Sequence, residues 1–516
     1  MKKNIILLFI LASMLAFTGC DIEEQLETVP TGAVSELIFW QNENDAILAV
    51  NAAYRELDGN GIAQLETATD IAMHAPSSAQ TLYDVAVGTI DPTNNSIRDY
   101  WRRYWIGVRK ANDPIANIDR ITVGDQALLK RLKAEARFLR AYYYTNLTAF
   151  WGDVPLITEP LTIQEKVSRT PKSQVVDFII SELDEVAGIL PVSYSGGDVG
   201  RATRGAALAL KARVALYNGR YAVARDAAKA VIDLNVYDLY PNYEKLFWYE
   251  GQNSKEVIFD RQYAVGFAFT SYVSRSASSL GGGSYIDPVR AYLLKHDYKG
   301  PADAENEYIN LDPRFGYNVF YPGSTMPNGT VFNSLPDSPT PDRIGSNEFA
   351  TNYGFNVRKG IDWAKDGANP NQSTINFILI RYADVLLMYA EAKIELNELD
   401  ASVYEAINKV RTRPSVEMPA ITSGKSQAEL RDILRKERTV ELAFEGLYLH
   451  DMNRWQMGAS KAGPVLGVRY KNGSGEWEIY NRNLIRTFRA DRDYLWPIPQ
   501  EEVEVNPNIG QNPNYN

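Results

Sequence analysis

The sequence predicts a mainly α-helical protein built from tetratricopeptide-like helix pairs and interrupted by a large loop-rich aromatic insertion. Three observations carry that expectation. Apolar residues recur at steps of three and four in two separated blocks. Small residues replace bulk where two of the helices would face each other. Between the blocks, 251–370 holds 22 Gly or Pro and 18 aromatic residues among 120, richer in both than the chain as a whole.

In the first block, Leu128, Leu132, Ala136, Leu139 and Tyr143 fall on one helical face, with Pro155 beyond its end. Two further helices meet at Asn218-Gly219. Leu208, Ala212 and Ala215 mark the first, and Ala224, Ala228 and Val231 mark the second; alanine there lets backbones approach, as in tetratricopeptide hairpins. The second block opens near Ile380. Its first helix carries one stripe at Ala383, Leu387, Ala390 and Ile394 and another at Tyr382, Leu386 and Tyr389, so it should pack on two sides. The next, 401–413, stops before Pro414, because proline disfavours helix in the residue ahead of it. A last helix runs from about Gln427 to Phe444, with Gly446 as its stop.

Composition narrows the function classes. Lys+Arg number 54 against 64 Asp+Glu, a net charge of -10, which excludes nucleic-acid binding through bulk basic charge. One cysteine, Cys20, excludes an internal disulfide framework and any multi-cysteine metal site. His74, His296 and His450 are too far apart in sequence to form a helical ligand pair, so common zinc hydrolase chemistry is not expected. No cofactor is implied.

Lys2 and Lys3 precede an apolar run from Ile5 to Phe17, too short to span a bilayer, which needs roughly 20 residues. Thr18, Gly19 and Cys20 follow. The segment resembles a bacterial lipoprotein signal, with 1–19 removed and Cys20 acylated, although Phe17 stands where that signal usually has Leu. Acyl chains would then hold the protein to a membrane, each buried methylene contributing about 0.8 kcal/mol. Asp21, Glu23 and Glu24 resemble the surface-export signal of Bacteroidota lipoproteins, and 20–32 reads as a tether.

Several segments in order resemble the SusD/RagB family of outer-membrane nutrient-binding lipoproteins. They are 101–112 (WRRYWIGVRKAN), 134–157 (AEARFLRAYYYTNLTAFWGDVPLI), 381–391 (RYADVLLMYAE), 406–413 (AINKVRTR), 436–455 (KERTVELAFEGLYLHDMNRW) and 495–515 (LWPIPQEEVEVNPNIGQNPNY). Tyr448 stands where the family often has Arg. The resemblance implies one SusD-like domain over 33–516, with a helical scaffold at about 33–240 and 375–460. A loop-rich ligand-facing region would occupy about 241–374 and an irregular C-terminal segment about 461–516. It also implies a cell-surface, lipid-anchored protein that binds a glycan or oligosaccharide and passes it intact to a SusC-like TonB-dependent barrel transporter. A peptide-binding lid of the same kind of transporter would carry the same signatures.

A secreted glycoside hydrolase is the rival reading, since it needs two carboxylates flanking the scissile bond. Glu437, Glu441 and Glu445 recur at steps of four and could line one helix face, but Arg435, Lys436, Arg438 and Arg454 are interleaved, which favours a structural ion-pair network. Gly424-Lys425-Ser426 lacks the first glycine of a phosphate-binding loop, since Pro419 occupies that position. Asp91, Asn94 and Asn95 read as a turn rather than a calcium site, and His450-Asp451 as structural.

A sugar ring offers an apolar C–H face and a hydroxyl rim, so its binder needs flat rings edged by planar polar groups. The candidate rings are Tyr83, Tyr285, Tyr321, Tyr353 and Trp363, with Asp70, Arg98 and Asn352 as hydrogen-bonding partners. The resemblance singles out Thr69-Asp70, similar to the family's Ser-Asp step ahead of its early aromatic helix. The others rest on loop position.

Overall fold

The computed structural model describes residues 39–74, 82–161, 165–266, 272–369 and 372–515. The signal segment 1–19, Cys20 and the tether 20–32 lie outside them.

Six of the long helices begin where a short polar side chain satisfies free backbone N–H groups. Asn42 caps α1 (Glu43–Tyr54) in a capping box with Asp45, and Asn94 caps α2 (Asn95–Asn117). Asp125 caps the 26-residue α3 (Gln126–Trp151), accepting from the Ala127 and Leu128 amides. Next come α4 (Lys172–Ile189), α5 (Arg204–Tyr217, capped by Thr203) and α6 (Tyr221–Asp233). Gly219 turns the chain between α5 and α6 at φ +70°, in the left-handed region that glycine enters without a Cβ clash. After the insertion follow α7 (Tyr382–Glu395), α8 (Ala401–Arg411, capped by Asp400), α9 (Gln427–Glu441) and α10 (Tyr448–Arg454). Ser426 caps α9 in a capping box with Glu429, which accounts for the Gly-Lys-Ser triplet as a helix start.

Consecutive helices from α2 to α6 pack on one another, and α6 then packs on α7, which carries α8 and α9. The two sequence blocks are therefore one continuous stack. As its two stripes predict, α7 lies in the middle, with Tyr382 to Ile394 all buried. Alanines at the α5–α6 contact, among them Ala212, Ala215, Ala224 and Ala228, are buried too.

The insertion is bound to this stack by ion pairs. Within the insertion β4 (Val319–Phe320) pairs with β5 (Asn356–Val357), and Arg381 ends β6 (Phe377–Arg381), which pairs antiparallel with β2 (Val257–Arg261). Its guanidinium meets Glu445 at 2.8 Å, Glu441 at 2.8 Å and Glu256 at 2.9 Å. Arg314 holds Glu437 at 2.6 Å and Glu441 at 2.9 Å, Arg413 holds Glu441 at 2.8 Å, and Lys359 holds Glu445 at 2.6 Å. The three glutamates are networked as expected, but through partners far along the chain rather than their neighbours in sequence. Arg438 and Arg454 turn instead to Asp384, Glu391 and Asp451, while Lys436 meets Asp297.

The C-terminal segment 461–516 departs from the irregular structure expected of it. It contains a hairpin of β7 (Gly463–Lys471) and β8 (Trp477–Arg486). Its ladder shifts register between Pro464 and Leu466 and again between Leu466 and Arg469, and Asn483 sits at φ +60°. Such bulges break the period-two alternation by which a strand is recognised.

Candidate functional site

Two very short strands, β1 (Ala72–Met73) and β3 (Asp287–Pro288), bring the early chain and the insertion together, with Met73 opposite Asp287. Arg486, at the end of β8, secures this seam from below. It is 3% exposed, and it donates to the carbonyls of Thr69 and Ala72. Burial pulls its guanidinium down to about 10, opposed by nearby Tyr353 and Asp70. Lys461 lies close by, donating to Val85 O at 2.9 Å, and burial with neighbouring Arg486 lowers it to about 8.

On this cationic floor Asp70 is buried, with Oδ2 accepting from Lys295 Nζ at 2.9 Å. Burial and the nearby Asp70 carboxylate push the Tyr448 phenol well above its ordinary value. Asp70 is thus held through Oδ2, while its buried Oδ1 has no hydrogen-bond partner among the described residues.

Above it the rings emerge. His74, directly after β1, and Tyr285, two residues before Asp287, stack at 5.9 Å with planes 11° apart, and Tyr285 is 38% exposed. Asp287 itself is fully buried. Its Oδ2 accepts from the Asn352 backbone at 3.0 Å and from Asn352 Nδ2 at 3.1 Å, and exposed Arg482 on β8 donates to Asn352 Oδ1. Burial pushes the Asp287 carboxyl up to about 7, against the lowering pull of the Asn352 and Thr351 hydrogen bonds and Arg482. The chain Asp287–Asn352–Arg482 fixes the orientation of a partly buried amide and an exposed guanidinium, anchored two residues along the chain from Tyr285. Tyr83 begins a short helix, Tyr83–Val87, and packs on the small cluster of Met73, Val87, Val289 and Val465 under the seam.

Tyr353 belongs to that cluster and is only 2% exposed, so its ring is a packing element and not a ligand platform. The reason lies in β7, whose Val468 N donates to Tyr353 O at 2.8 Å. Gly467 permits this approach, since a Cβ there would come within 2.4 Å of the same carbonyl. Three other candidates lie elsewhere. Arg98 is on α2 beside Asp99 at 3.7 Å, and Trp363 starts a short helix, packed against the main core. Tyr321 lines a separate groove. Asp91 and Asn94 are occupied as a turn and a helix cap: Asp91 accepts from Thr93 N at 2.7 Å, and Asn94 caps α2 while donating to Asp84 at 2.8 Å.

The seam thus unites Asp70, Tyr83, Tyr285 and Asn352 and adds His74, Asp287, Arg482 and Arg486, which sequence reasoning missed. For the last two a turn signal was present, since Asn-Gly-Ser-Gly precedes them, but not the strand alternation that would have marked their face. The glutamates considered for hydrolysis lie deep in the ion-pair network. Burial alone would raise Glu441, but Arg413, Arg381 and Arg314 hold it far below the usual carboxylate range. Such a group is a poor general acid.

A family model described as the SusD family matches residues 243–515, and one described as "Starch-binding associating with outer membrane" matches 36–216. SusD-like protein P2 of Formosa agariphila is 27% identical, covering 100% of both chains. A SusD-like protein of Bacteroides ovatus is 25% identical over 87% of this chain and 82% of its own. Among solved structures, a SusD-like carbohydrate-binding protein of Bacteroides fragilis superposes with a TM-score of 0.84 at 28% identity, covering 91% of this chain and 99% of that one. A second SusD-like protein of that species gives 0.79 at 27% identity, with 95% and 100% covered. The same helical stack, the same insertion and a family match across more than half the sequence lead to one assignment: this chain belongs to the SusD family.

Proposed function

We propose that the protein is a cell-surface lipoprotein that binds a glycan at the β1–β3 seam and passes it, uncleaved, to a TonB-dependent barrel transporter. The observation that carries this reading is the seam's composition. Exposed Tyr285 and half-buried Tyr83 offer flat rings, while Asn352, held by Asp287, and Arg482, held by Asn352, offer oriented planar groups for a hydroxyl rim. The solved relative from Bacteroides fragilis, described as carbohydrate-binding, supports the ligand class. Binding without cleavage is supported by the state of Glu437, Glu441 and Glu445, whose carboxylates are taken up by arginine and lysine. Attachment through acylated Cys20 accords with the described residues, where no helix is long and apolar enough to cross a membrane.

The test is incubation of the mature chain with panels of neutral polysaccharides and of peptides. Retention on at least one polysaccharide with no new reducing ends is the expected result. Binding to peptides alone would transfer the reading to a peptide lid, and new reducing ends lost on mutation of one acid would make the protein a hydrolase.

A further inference from the structure

Beyond the seam, the insertion forms a groove of about 570 Å³, within the range of roughly 300–1,000 Å³ typical of small-ligand sites. One side is a pile of rings. Tyr321 stacks on Tyr308 at 4.2 Å, and Tyr308 on Phe315 at 6.0 Å, while Tyr321 remains only partly buried. The Tyr321 backbone is fixed by its own turn, in which Tyr321 N donates to Ser324 Oγ at 3.0 Å and that hydroxyl donates back to Tyr321 O at 2.7 Å, and its ring is held against Tyr308 and Phe315. Preorganised rings of this kind bind without a large ordering cost.

The polar groups of the groove are incompletely used. The Tyr308 hydroxyl is buried and has no hydrogen-bond partner among the described residues. Arg358 lines the groove too, and its Nη1 reaches only Thr325 O, at 3.5 Å. Its charge is already balanced by Glu244, at 2.8 Å from Nε. A neutralised guanidinium discriminates against anions while still donating hydrogen bonds, which selects an uncharged hydroxylated ligand over a phosphate or a peptide carboxylate.

We propose that the groove between Tyr321 and Arg358 is a second carbohydrate subsite, which takes an uncharged sugar ring of a polysaccharide with its C–H face against Tyr321. This rests on the glycan reading of the seam. The two places are joined by one ion-pair cluster. Glu307, next to Tyr308, meets Arg290 at 2.6 Å just after β3 and Arg469 of β7 at 3.8 Å. Both therefore stand on a shared rigid frame.

Affinity electrophoresis of the mature chain in soluble starch, laminarin, levan, inulin, xylan, galactomannan and pectic galactan tests this. Wild type is compared with Tyr321→Leu, which keeps an apolar contact on Tyr308 but no flat ring, with Tyr321→Trp, and with Tyr285→Ala at the seam. Tyr321→Leu should weaken retention in the bound polysaccharide about five- to tenfold with an unchanged melting temperature, and Tyr321→Trp should restore it to within about twofold. If wild type is retained and Tyr321→Leu matches it within twofold in every polysaccharide, the subsite is refuted while the seam stands. Weakening in Tyr321→Leu that Tyr321→Trp does not restore refutes the stacking assignment. If no polysaccharide retains wild type, the glycan reading falls and the subsite with it.

Discussion

The ion-pair network around Arg381 and the seam around Asp287 both keep carboxylates out of water, by opposite means. In the network, charge meets charge: Glu441 is shared among Arg314, Arg381 and Arg413 and is held far below its ordinary range. In the seam, Asp287 is met chiefly by amides and is pushed up to about 7. Compensation of carboxylates by arginine and lysine yields a joint between insertion and scaffold whose glutamates are taken up. Partial compensation leaves Asn352 and Arg482 positioned at the surface. The difference separates residues that hold the molecule together from residues that face outward.

The largest loss of stability is expected at Arg381. Arg381→Met removes the shared partner of Glu256, Glu441 and Glu445 and should cost about 3–5 kcal/mol in denaturant unfolding. A change below about 1 kcal/mol would mean that the network is not what joins the two regions. Tyr353 and Tyr285 sharpen it on the seam side. Tyr353→Ala empties a buried site and should cost about 3 kcal/mol, whereas Tyr285→Ala should cost under about 0.5 kcal/mol. Equal costs would erase the distinction between packing and presented rings.

Asp287 gives the comparison a pH axis. Its folded carboxyl binds a proton more tightly than the unfolded one, whose pKa is near 3.9. Its contribution to stability is therefore full below about pH 4 and lost as pH rises toward about 7, a difference of roughly 2–4 kcal/mol. Unfolding of wild type and Asp287→Asn from pH 4 to 8 should show the variant gaining relative stability through that window and no further above it. Parallel profiles would contradict the raised carboxyl. At the α9 cap, Ser426→Ala should cost about 1 kcal/mol, as expected of a helix start without a nucleotide role.

How much of this was legible in the sequence follows from the range of the interactions. The helices were, because stripes such as Ala383, Leu387, Ala390 and Ile394 are local, and so was the double-sided burial of α7. That α6 packs directly on α7, across more than 140 intervening residues, was not, since no periodicity encodes partner choice. The hairpin was obscured by its own bulges near Asn483, which removed the alternation that would have marked Arg482 and Arg486. Tyr285 could be nominated as a loop ring. Nothing local distinguished it from Tyr353, because the burial of Tyr353 depends on β7 arriving from more than 100 residues away.

The central claim is that Tyr285 and its fixed polar neighbours form the sugar-binding surface. Calorimetric titration of the mature wild-type chain and Tyr285→Ala, with a polysaccharide that the wild type retains, tests it most directly. Affinity in the variant should fall at least about tenfold while its melting temperature stays within about 2 °C of wild type. Undiminished affinity in a folded Tyr285→Ala would contradict the account.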